Sequence, residues 1–250
     1  MARYDFRTPR LFVGLPLASG SQVPLDPGQA NYLGNVLRLL PGAAVLVFNG
    51  RDGEWRGTLE STGKRKTSLT IVEQTRAQTV AVDLRYLFAP LKHARLDYMV
   101  QKAVEMGVSS LQPVITRHTQ VARVNLERMR ANAIEAAEQC GILTLADIHA
   151  PLDFGRMIAS RDSGRLLVFC DEDAEVKDPV AALAVMRSLP GATPIDLLIG
   201  PEGGFAEDER TALLKLPRVV RLPLGPRILR ADTAAVAALA LIGAVLGDWR

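Results

Sequence analysis

The chain has 250 residues, 48% hydrophobic and 23% charged, with a formal net charge of +3. That length buries a full core in one or two domains, and the ordinary apolar and charged balance excludes disordered and membrane-embedded classes. Cys140 and Cys170 form no CxxC pair, and His93, His118 and His149 are dispersed, so no metal site and no disulfide framework is expected, and reduced thiols point to a cytoplasmic protein.

The first 75 residues read as strands and turns. Residues 1–80 hold ten Lys and Arg against six Asp and Glu, so the basic excess lies here. Most of it is arginine, which suits bidentate phosphate contacts, and nucleic acid is a natural partner. Charge alone leaves a solvated basic surface as an equal reading. A short helix around residues 30–37 precedes a strand at 43–49, the GRDG hairpin loop at 50–53, a strand at 54–59, the polar STGKRKTS turn and a strand at 69–72. Together they predict a small β-barrel-like module, with a boundary near residues 74–80.

Beyond residue 82 the period changes. A strand at 82–88 is followed by a helix at 95–106, where Leu96, Met99, Val100, Ala103 and Val104 recur at helical spacing and Gly107 supplies the stop. A strand at 111–115 and a helix at 126–140 repeat the alternation. Three more strands, at 166–170, 195–200 and 219–224, are each followed by helical sequence. This alternation predicts a largely parallel sheet covered on both faces, an α/β fold. Residues 234–247 are apolar almost all round, yet shorter than the ~20 residues of a membrane span, and read as a buried or subunit-interface helix.

Two of the strand runs end in the same Gly-Pro punctuation, IDLLIG-PEGGF at 195–205 and VVRLPLG-PRILRADTAA at 219–235. A buried strand that stops abruptly leaves backbone at its carboxyl end, where α/β sheets bind ligands. With one helix-sized segment between them, the two ends are expected side by side around one pocket. GPEGGF matches neither a Walker loop nor GxGxxG, and Glu207, Asp208 and Glu209 crowd the helix start where a phosphate would sit. A neutral or cationic ligand suits the loop better, and a plain strand-to-helix turn is the bland alternative. Arg227 and Arg230 add cations for RNA phosphate or a developing anion. Asp232 and Thr233 read first as helix caps, and Asp232 is also the nearest carboxylate for a base.

LLIGPEGGF and LGPRILRADTAA, with NYLGNVLRL at 31–39, LDYMVQKAVEMGVSSLQPV at 96–114 and IEAAEQCG at 134–141, resemble the signatures of the ribosomal small-subunit (16S) RNA uracil-N3 methyltransferases of the SPOUT superfamily. The resemblance covers nearly the whole chain. It departs at Ala231-Asp232, where the family usually has Thr-Glu, at Ala206 in place of Ser, and at Ile142 in place of a basic residue. It implies a PUA-like RNA-binding barrel over residues 1–75 and a SPOUT domain with a trefoil knot over 80–250. It also implies a homodimer acting on 16S rRNA in the small ribosomal subunit, without metal or membrane. S-adenosylmethionine would be held by Ile199, Gly200, Pro201, Glu202, Gly203 and Gly204 on one loop, and by Leu222, Leu224, Gly225, Ile228 and Leu229 on the other, with Gly203 and Gly204 permitting close approach. Arg7, Arg10, Arg38 and Arg227 are the expected RNA contacts, and Arg230 and Asp232 the catalytic pair. A SPOUT enzyme with another target nucleotide, or a non-catalytic RNA-binding relative, stands as the alternative.

Overall fold

The computed structural model describes residue 5 and residues 7–61, 67–121, 123–187 and 193–249. Its contacts divide it into two units, Met1–Val80 with Ala137–Leu145, and Ala81–Ala136 with Ala146–Arg250.

In the first unit, β1 (Arg10–Phe12), β2 (Gln22–Pro24), α1 (Pro27–Asn31), a π-helical turn (Tyr32–Val36), β3 (Ala44–Phe48), β4 (Glu54–Ser61) and β5 (Thr67–Arg76) follow in order. The strands form one sheet, β1-β3-β4-β5-β2, antiparallel except where β1 meets β3. GRDG closes the β3–β4 hairpin, with Gly50 and Gly53 both left-handed (φ 82 and 79). Gly53 also needs its bare Cα, since a Cβ would lie 2.3 Å from the Arg76 carbonyl. Part of the STGKRKTS turn lies outside the described residues. α1 starts on a capping box in which Asp26 accepts from the Gln29 amide and Gln29 answers to the Asp26 amide. Val23, Leu33, Val45, Val47, Leu69 and Ile71, each at most 1% exposed, form the centre of the core.

The second unit continues with β6 (Leu84–Phe88), α2 (His93–Glu105), β7 (Ser110–Ile115), α3 (Leu126–Cys140, whose last turn from Ala137 belongs to the first unit), β8 (Asp147–Ile148), β9 (Leu152–Asp153) and α4 (Phe154–Ser160). It ends with β10 (Leu166–Cys170), α5 (Pro179–Ala184), β11 (Ile195–Ile199), α6 (Glu207–Leu214), β12 (Val219–Leu222) and α7 (Ala231–Val245). All pairings are parallel, in the order β12-β10-β11-β6-β7-β8. Successive strand residues point to opposite faces. Leu87, Leu167, Phe169 and Leu198 pack with Met157 of α4 and Leu213 of α6, while α7 packs on α2, α5 and β11. Helices thus cover both faces, which accounts for strands that are apolar throughout.

α7 buries Ala231, Ala234, Ala235, Ala238, Leu239 and Ile242. Alanine at those positions lets the helix lie close to its neighbours. Among the described residues, no helix is long and apolar enough to cross a membrane.

Candidate active site at the carboxyl rim of the sheet

The two Gly-Pro ends do meet at one rim, but not side by side. β10 lies between β11 and β12, which sets their ends two strand spacings apart, roughly 10 Å. The carboxyl end of β10 therefore belongs to the rim as well. Only the acidic run DEDAE after LLVFC hinted at this in the sequence.

Each loop begins where the sheet ladder has to stop. The Ala89 amide donates to the Ile199 carbonyl; the next parallel bond would come from the amide of residue 201, and Pro201 has none. The chain then turns, with the Gly204 amide donating to the Pro201 carbonyl at 2.9 Å. Gly204 carries the left-handed backbone (φ 70), and Gly200 packs against Phe205, whose ring a Cβ there would approach to 2.9 Å. Gly203 has an ordinary φ, and a Cβ would meet His118 at 3.4 Å. His118 faces the Gly203 and Gly204 carbonyls through Nδ1, at 3.2 and 3.0 Å.

After β12, Leu222 is fully buried, Gly225 is left-handed (φ 88) and Ile228 is 93% exposed. Among the described residues, no main-chain partner meets the groups of Leu224, Gly225, Arg227, Ile228 or Leu229. These donors and acceptors stand open at the rim. Arg227 and Arg230 are exposed.

α7 corrects the reading of its first turn. The N-cap is Arg230, in extended backbone (φ −65, ψ 151) and without a side-chain cap bond. Asp232 lies one step inside the helix, where it accepts Nε and Nη2 of Arg95, each at 3.0 Å, and the Thr233 amide. The Arg95 bonds, reinforced by the Thr233 amide and Arg95's charge, hold the Asp232 carboxyl below its usual value. A carboxylate so held is a weak proton acceptor. Arg95 also pairs with Glu202 of the GPEGGF turn. Pro90, Leu91, Arg95, His118, Val121, Pro201 and Glu202 are among the residues that line a cavity of about 80 Å³ beside that turn. No linear signal could have joined Arg95 to Asp232, 137 residues away.

At the start of α6, Ala206 has no hydroxyl with which to cap the helix. Glu209, buried at 7%, supplies the other half by accepting the Ala206 amide at 2.9 Å, and it also takes the Arg117 amide at 2.8 Å. Below β10, Asp171 accepts from Arg221 and Arg210. With Glu202, Asp232 and the acidic first turn of α6, the rim carries several negative groups. Such acceptors suit a ligand bearing a sulfonium and an ammonium, and the glycine loops leave room beside the main chain for its adenosine. S-adenosylmethionine fits these residues.

In the first unit, Arg7 and Arg38 are exposed, and Arg38 is left-handed (φ 54). Arg10 departs from expectation. Its side chain is 8% exposed, and Nε binds Glu54 at 2.7 Å while Nη1 and Nη2 bind the carbonyls of Ala137, Glu138 and Ile142. It closes the last turn of α3, where a helix favours a cation, and its donors are not available to RNA.

Among the described residues no cluster of metal-ligating side chains occurs. The family model for an RNA methyltransferase domain matches residues 78–243, and that for an RNA methyltransferase PUA domain matches residues 25–72. The chain is 30% identical to ribosomal RNA small subunit methyltransferase E of Rickettsia conorii, over 93% of this chain and 94% of that one. It is also 30% identical to the Synechocystis protein of that name, over 95% and 78%. The crystal structure of ribosomal RNA small subunit methyltransferase E from Neisseria gonorrhoeae bound to S-adenosyl methionine superposes with a TM-score of 0.84 at 25% identity, covering 98% of this chain and all (100%) of that one. Sequence and fold agree, and the chain belongs to the RNA methyltransferase family that includes ribosomal RNA small subunit methyltransferase E.

Proposed function

We propose that this protein methylates N3 of a uridine in 16S ribosomal RNA, with S-adenosylmethionine as methyl donor, and acts in the cytoplasm as a homodimer. The open main chain of residues 224–229, facing the glycine turn of residues 199–204 across β10, is the observation that carries this reading. S-adenosylmethionine, when bound, would supply the electrophilic methyl carried on its sulfonium sulfur, the C–S bond breaking as N3 takes the methyl and the neutral thioether S-adenosylhomocysteine leaving. Main-chain groups of Gly200, Gly203, Gly204, Leu224, Gly225, Ile228 and Leu229 hold it, while Ile199 and Leu222 turn their side chains into the core. The trefoil knot belongs to the same reading.

Uracil N3 attacks only after losing its proton, which places negative charge on the flanking carbonyl oxygens. Arg230, exposed and without a side-chain cap bond at the head of α7, stabilises that charge. Asp232 orients the turn through Arg95, and the proton passes to water. Residues 1–75 grip the RNA through Arg7 and Arg38 on phosphate, and Arg227 of the second unit adds a further phosphate contact. The outer side of α7 presents Val236, Ala237, Ala240 and Leu241, each only partly covered, which supports a second copy packing there.

Nucleoside mass spectrometry of small-subunit RNA, after incubation with the protein and S-adenosylmethionine, tests the reaction. N3-methyluridine is the expected product; a methyl group on another nucleoside, or none, overturns the assignment.

A further inference from the structure

The geometry points to Arg95 as a positioning residue for methyl transfer, a single guanidinium that fixes the glycine turn after β11 against the first turn of α7. This rests on the function proposed above. Arg95 stands in the first turn of α2, its side chain 31% exposed. Its Nε and Nη2 grip both oxygens of Asp232, each at 3.0 Å, and its Nη1 takes Glu202.

Glu202 belongs to the loop that follows β11 and Asp232 to the first turn of α7, which follows the loop after β12, and α2 belongs to neither. A planar fork with donors on two edges can serve two carboxylates at once, which the point charge of a lysine cannot do with the same geometry. Two acids on one cation leave the cluster net negative, matching a cationic cofactor. The tie also reaches Arg230. Among the described residues that side chain makes no cap bond, so its aim depends on the first turn of α7, and Asp232 anchors that turn. His118 gives the glycine turn a second hold, through the Gly203 and Gly204 carbonyls. Losing Arg95 therefore loosens the rim without unfolding it.

The test uses Arg95→Ala and Arg95→Lys in the full-length protein. Hydrogen exchange is followed at the bonded amides of Gly204 and Ala234, which donate to the carbonyls of Pro201 and Arg230. Arg95→Ala should speed exchange at both amides roughly tenfold, weaken S-adenosylmethionine, and lower the single-turnover rate at saturating cofactor and RNA at least about tenfold, because the reacting groups are misplaced. RNA affinity and Tm should stay near the parent's. Arg95→Lys should keep Tm without restoring the rate, and added guanidinium should partly rescue Arg95→Ala. Unchanged exchange at both amides overturns the proposal. So does a rate loss that follows a fall in Tm and is restored with it by lysine. Exchange needs no ligand, so it decides the tie even if the parent protein fails to methylate ribosomal RNA, and the two failures stay distinguishable.

Discussion

The two ends of the parallel sheet use the same chemistry, arginine on aspartate, for opposite purposes. At the amino ends of the strands, Asp196 is fully buried, and Arg85 grips both its oxygens at 2.7 Å. Arg165 binds Asp196 at 2.6 Å and Asp83 at 2.7 Å, and Arg161 lies alongside, 3% exposed, its Nε 3.9 Å from Asp196 and without a hydrogen-bond partner among the described residues. At the carboxyl ends, Arg95 holds Asp232 and Glu202 at side-chain exposures of 16% and 46%, beside glycine turns and open main chain. Burial separates the two. A dry cluster cannot move without stranding a charge, whereas a half-wet one can exchange partners with water and ligand.

The sharpest way to break this contrast is Asp196→Ala. It would take from Arg161 and Arg165 the buried carboxylate they share, leaving Arg165 with Asp83 alone, and removing one partner of a buried pair costs about 3–5 kcal/mol. For a chain of this size Tm should fall by roughly 10 °C or more. Calorimetric melting measures it, and S-adenosylmethionine affinity in the folded fraction should survive. Intact stability with lost cofactor binding would mean that the amino end is the functional one.

Arg230→Ala reverses the pattern. It removes an exposed side chain, so Tm should hold, yet the single-turnover rate should fall about 10²–10³-fold if the guanidinium stabilises the uracil anion. Methylation at the parent rate, with RNA and cofactor saturating, would reduce Arg230 to a peripheral contact.

The same contrast explains what the sequence made legible. Strand and helix periods read cleanly because core packing repeats every second or fourth residue, and the Gly-Pro stops marked both loops since proline ends a ladder locally. The insertion of β10 between β11 and β12 did not read, because strand order is a tertiary property. Arg10 was misread for a related reason. Composition makes any arginine in a basic segment look like a phosphate ligand, while its partners, the carbonyls closing α3, lie more than 120 residues away. Arg95 with Asp232 was silent on the same ground, and of the rim's side chains only those of the motifs themselves were found.

Glycine substitutions divide the rim further. Gly200→Ala would drive a Cβ to 2.9 Å from Phe205, whose ring packs on Phe169 and Phe154 at centroid distances of 6.2 and 6.4 Å. The ring must shift, and the turn with it. Cofactor affinity should fall about tenfold, or ~1.4 kcal/mol, with stability falling less. Gly203→Ala has an ordinary φ and a 3.4 Å neighbour, so titration calorimetry should find it within about threefold of the parent, under ~0.7 kcal/mol. Equal losses would mean that the contact with Phe205 is not what sets cofactor affinity at this turn.

The smallest effect concerns Asp171, which shares the rim's position and the other end's burial, at 5% side-chain exposure. Burial works to raise its pKa, but bonds from Arg221 and Arg210, with the Asp173 amide, outweigh it and leave the carboxyl below its usual value. A folded value below the unfolded one makes the contribution complete above the unfolded pKa, ~3.9, and loses it as pH falls through the lower folded value. Between pH 5 and pH 3 the urea midpoint should therefore drop, and Asp171→Asn should flatten that drop while costing about 1–2 kcal/mol at neutral pH. Asp232 is shifted in the same direction, but its wetter surroundings screen the pair, so Asp232→Asn should flatten the acid limb less. If Asp232→Asn flattened it more, exposure would not be what divides structural from functional pairs in this sheet, and the distinction between its two ends would have to rest on loop geometry alone.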